Sequence, residues 1–103
     1  METKRTMEIA KTIINQIKVI DFWALGAYGA TNYAALSNND DRAGGVSFQV
    51  NGLNLKGWAN IELTWMDEYR IIFINKKREV VKTVEGVYAD QLVKILDYIE
   101  GKI

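Results

Sequence analysis

An α+β fold is expected for this 103-residue chain, and three observations point to it. Apolar residues recur at helical spacing near both ends, they alternate with a period of two through the middle, and turn-forming clusters separate the alternating runs. That order places an antiparallel sheet of four to five strands against N- and C-terminal helices, within one domain spanning residues 1–103.

The first helix is expected over residues 6–19. Met7, Ala10, Ile13, Ile14 and Ile17 define its buried stripe, and Thr6 is the candidate N-cap. Asp21-Phe22-Trp23 opens a short turn that leads into "ALGAYGATNYAAL" (24–36), where Gly26 is expected to end the helical turn and Gly29 to permit a close backbone approach. Tyr33 to Leu36 reads as a weak strand, closed by the turn cluster Ser37 to Asp41. Val46, Phe48 and Val50 alternate inward before the turn dipeptide Asn51-Gly52.

Ile61, Leu63 and Trp65 share the next inward phase, and Trp58 is expected at a loop edge. Tyr69 to Ile74 and Glu79 to Val84 form a hairpin around Asn75 to Arg78, with Phe73 opposite Val80 and Tyr69 opposite Val84. A closing helix over 87–100 presents Tyr88, Leu92, Ile95, Leu96 and Ile99, exposes Asp97, and ends at Gly101.

Composition narrows the function classes. Thirteen basic and thirteen acidic side chains cancel, so the basic excess of a duplex-coating protein is missing. Without cysteine or histidine there is no disulfide, thiol nucleophile, Cys/His zinc site or imidazole base. No apolar run approaches a membrane span, and an amphipathic segment follows Met1 to Arg5 where a signal peptide would carry an apolar block. A cytoplasmic location, with no membrane association, is therefore expected.

Candidate sites are few. Gly26-Ala27-Tyr28-Gly29 has the glycine spacing of a nucleic-acid clamp, but its central pair is neutral; no P-loop or dinucleotide fingerprint occurs. Asn38 to Asp41 lacks the closing glutamate of a calcium loop. No nucleophile, base and orienting group assemble, so neither an enzyme nor a cofactor or metal is expected. The remaining candidates are partner-binding residues. They are the basic run Lys76, Lys77 and Arg78, Lys56 beside an accessible Trp58, and Tyr28 and Asn32 of the glycine stretch.

One resemblance adds a setting. "GVYADQL" (86–92), preceded by "DEYRIIF" (67–73), is similar to the closing part of a family of small proteins encoded by phages and integrative mobile elements of bacteria. "GATNYAAL" (29–36) and "GGVSFQV" (44–50) resemble earlier segments of that family, although Thr31 stands where its pattern carries lysine. The family has no established activity. The resemblance implies a genomic setting and a fold without a mechanism, for a bacterial or phage protein working in the cytoplasm. Together with the missing catalytic constellation and the neutral charge, it leads to the expectation of a non-enzymatic accessory protein acting by protein contact or self-association. The alternative is nucleic-acid association through the Lys76–Arg78 tip and Trp58.

Overall fold

The computed structural model describes residues 2–102; the outermost bounds expected for the domain, residues 1 and 103, lie outside the described residues. Helix α1 (Glu2–Ile20) leads through a tight corner into the short α2 (Ala24–Ala27). Five strands follow: β1 (Thr31–Leu36), β2 (Gly44–Asn51), β3 (Lys56–Leu63), β4 (Tyr69–Asn75) and β5 (Val80–Val87). The chain closes with α3 (Leu92–Leu96), flanked by single 3-10 turns at Ala89–Gln91 and Asp97–Glu100. The strands pair antiparallel in the order β1-β2-β3-β4-β5, a meander in which every neighbour in sequence is a neighbour in space. The α+β expectation holds: one face of the sheet carries the helices.

Alternation decides which face. Val46, Phe48 and Val50 of β2, Ala59 and Ile61 of β3, and Ile71 and Phe73 of β4 are buried together. Against them lie Ala10, Ile13 and Ile17 of α1, and Leu92, Val93, Leu96 and Ile99 of the closing segment. Each fully buried Phe, Ile or Leu contributes about 1.5–3 kcal/mol of transfer free energy. The opposite phase, with Gln49, Trp58, Asn60, Glu62, Arg70, Ile72 and Ile74, forms an outer face that no helix covers.

Several expectations are corrected. Helix α1 begins at Glu2, so Thr6 is a buried interior residue instead of a cap. The helix-favouring Glu2, Lys4 and Arg5 carry the register past the capping signal. Met7, expected in the core stripe, lies at the exposed border of that stripe. Gly26 sits inside α2, which closes with a carbonyl bond from the Tyr28 N–H to Ala24. Gly29 does carry the left-handed φ of +65°, and a Cβ there would come within 3.2 Å of Asn51.

Strand β3 runs earlier than expected. It starts at Lys56, which places Trp58 within the sheet, and ends at Leu63. Trp65 therefore falls in the β3–β4 turn and is 53% exposed, not core. The Thr64 N–H donates to the Glu68 carbonyl at 2.8 Å, closing a turn in which Asp67 has a φ of +65°. The β4–β5 register also differs: Ile74 pairs with Val80, Phe73 with Lys82, Ile71 with Val84 and Tyr69 with Val87. Two irregularities in β5, one around Val81 and one ending at Gly86 (φ +67°), shift each half of the strand. Simple counting back from a four-residue turn misses such inserted residues.

The closing helix is shorter than 87–100, because Val87 and Tyr88 remain extended before the first 3-10 turn. Tyr88 consequently points outward and donates its hydroxyl to Glu68 at 3.0 Å. Among the described residues no helix is long and apolar enough to cross a membrane.

Candidate functional site

The candidate residues separate into two groups. Lys56, Trp58, Arg78, Lys76 and Asn32 converge at the end of the sheet where β2 meets β3 and β4 meets β5. Thr31, Gln49, Trp58, Ile74 and Val80 form one row across five strands on the outer face. Asn32 holds a left-handed φ of +55° at the β1 bulge and donates its amide to Gln49 Oε1 at 2.8 Å. Lys76 borders a shallow recess of about 310 Å³ with Gly29, Thr31, Gln49 and Asn51. Lys77 lies in the turn, its N–H held by the Asn75 side chain at 2.9 Å.

Within this cluster the basic groups are already engaged in part. The Arg78 guanidinium lies 4.6 Å above the Trp58 ring centroid, a cation–π contact that covers that face of the indole. Lys56 Nζ donates to the Gly52 carbonyl at 3.0 Å.

Tyr28 leaves the group. It is 1% exposed, on the core side, so its ring is not presented at the surface. Its hydroxyl donates to Asp97 Oδ1 at 3.0 Å, which also corrects the expectation of a freely exposed Asp97. Burial first, then the bond to Asp97 and its charge, push the Tyr28 phenol far above its ordinary 10.0. The folded state therefore holds this proton more tightly than the unfolded chain. The linked stability is intact below pH ~10 and is lost as pH rises beyond it. Tyr28→Phe is expected to cost about 1 kcal/mol at neutral pH and to lose stability less steeply than the parent in guanidinium melts above pH ~10. Equal alkaline slopes would rule the phenol out as their source.

A buried charge cluster went unnoticed in the sequence. Glu62 is almost fully buried on the outer face, where Oε2 meets Arg42 Nη1 at 2.6 Å and Oε1 meets Arg70 at 2.7 Å. The β3–β4 register places Glu62 directly opposite Arg70. Arg42 arrives from the β1–β2 loop, which the Asn39 side chain shapes by accepting the Asp41 and Arg42 N–H groups. This arrangement pairs opposite charges, so it reads as structural.

One exposed apolar feature is the corner between α1 and α2. Val19, Ile20, Phe22 and Trp23 are 78%, 45%, 67% and 76% exposed. Phe22 and Trp23 stack edge-to-face at 5.1 Å, so the two rings project together. The Asp21 carboxylate accepts the Trp23 N–H at 3.0 Å and holds the corner. A signal was available: helical spacing assigns Val19 and Ile20 to the border of the stripe, and Phe22-Trp23 follow with no alternating partner.

A second apolar feature is a groove of about 370 Å³ between α1 and the edge strand β1. Met7, Ile14, Tyr33 and Ala35 line it, with Lys11 and Lys18 on its helical wall.

No protein-family model, curated protein or solved structure matches the chain.

Proposed function

We propose that this protein is a non-enzymatic interaction module that works by protein contact, anchored on Phe22 and Trp23. The observation that carries the reading is the corner of four large apolar side chains exposed beside a complete core. Contiguous apolar surface of this kind marks interaction sites, and tryptophan is among the residues most enriched at interface hot spots. The resemblance of residues 86–92 to mobile-element proteins supports a partner from the bacterial or phage cytoplasm.

The second reading, nucleic-acid association, is favoured by the convergence of Lys56, Trp58, Lys76 and Arg78 at one sheet end. It ranks lower because Arg78 already occupies a face of Trp58 and the overall charge is zero.

One experiment separates them: affinity capture from the native host and retention of labelled DNA, each measured for three proteins. Phe22→Ser/Trp23→Ser is expected to weaken partner retention about 30-fold or more, the loss of about 2 kcal/mol typical of an anchor. Its melting temperature should stay close to the parent's, since both rings are exposed. Salt-dependent DNA retention that disappears only in Lys76→Glu/Lys77→Glu would replace the first reading with the second. Full retention of a protein partner by the double aromatic variant would reject the anchor.

A further inference from the structure

The geometry points to a second binding surface, separate from the aromatic corner: the α1–β1 groove accepts an extended acidic peptide that adds to β1 as a sixth strand. Strand β1 pairs only with β2, so half of its backbone N–H and C=O groups face away from the sheet, and its side chains are exposed along nearly its whole length. Edge strands of this kind take up peptides through main-chain hydrogen bonds, while flanking pockets read alternate side chains.

The opposite edge is a poorer template. Strand β5 carries two irregularities where β1 carries one. The β1 bulge at Asn32 and Tyr33 confines regular pairing to the stretch from Ala34 to Leu36.

The groove wall sets the ligand's chemistry. Along α1, Met7, Lys11, Ile14 and Lys18 face the channel over about 16 Å, the length of roughly five strand residues. Neither lysine has a carboxylate within 4.0 Å among the described residues. A peptide whose alternate residues are acidic, apolar and acidic sets its carboxylates against Lys11 and Lys18 and its apolar residue against Ile14 and Tyr33. Charge also argues against a second copy as the occupant. Antiparallel pairing of two β1 strands would bring both α1 helices to one channel, crowding four lysines together.

The test uses the peptide Thr-Glu-Thr-Val-Thr-Glu-Thr and its lysine counterpart, in which both glutamates are replaced. With the full chain, the acidic peptide is expected to shift amide resonances of residues 31–36 and 7–18. It should also slow hydrogen exchange along β1. Lys11→Glu/Lys18→Glu, at two exposed positions, should lower affinity for the acidic peptide about tenfold or more and gain affinity for the lysine peptide. No shifts in β1, or shifts that ignore the charge reversal, would overturn the proposal. Slowed β1 exchange that depends on protein concentration without peptide would overturn it in favour of a second copy.

Discussion

Glu62→Ala is expected to destabilise the domain by about 2–3 kcal/mol, lowering its melting temperature by roughly 10–20 °C at this chain length. The carboxylate lies between Arg42 and Arg70, at 2.6 and 2.7 Å. Glu85 is farther off, 3.7 Å from Arg70 and largely in solvent. Removing Glu62 leaves two guanidinium groups close together without their shared partner. The estimate sits at or below the lower bound for buried pairs because both arginines keep about a fifth of their side-chain surface in water.

The reciprocal design separates the pair's net worth from the cost of breaking it. Arg42→Met/Glu62→Leu/Arg70→Met removes all three charges and is expected to fall within about 1 kcal/mol of the parent. Thermal and denaturant melts of both variants check this. A Glu62→Ala protein as stable as the parent would show that solvent screens the cluster.

Gly52→Ala is expected to cost at least about 2 kcal/mol through a backbone collision. A Cβ at this position would lie 2.3 Å from the Ile99 carbonyl oxygen and 2.5 Å from its Cγ2. That carbonyl accepts the N–H groups of Asn54 and Leu55 at 2.9 and 3.2 Å, tying the β2–β3 turn to the closing segment. Moving it away breaks both bonds and displaces Ile99, which is fully buried. The effect is therefore a separation of turn and C-terminus, not a loss of turn propensity. Native-state hydrogen exchange should show faster exchange at Asn54 and Leu55 than elsewhere. A variant that melts with the parent and keeps those amides protected would refute the contact.

The aromatic corner and the α1–β1 groove share one helix but draw on different parts of it. Lys11, Ile14 and Lys18 face the groove, whereas Val19 and Ile20 border a smaller recess with Ala89 and Asp90. Substitutions in one surface are thus expected to leave the other's binding intact, since the affected side chains share no partner.

The sequence by itself determined the α+β class, the N-terminal helix and the inward phase of β2 and β4. Those signals are local: a period of 3.6 or 2, carried by residues such as Ile13, Ile17, Phe48 and Phe73, commits each segment to one buried face. It also placed the Lys76–Arg78 tip, because turn chemistry is a property of a few adjacent residues. Tertiary structure decided the rest. Whether Tyr28 is a ligand contact or a core residue depends on Asp97, 69 positions away. The β5 irregularities set its register, and the end of β3 at Leu63 put Trp65 outside the core. The buried role of Glu62 required two arginines from different elements, and the exposure of Phe22 and Trp23 followed from how α1 turns into α2. Each of these is a long-range contact or its absence, and no local period encodes which distant surface a side chain will meet.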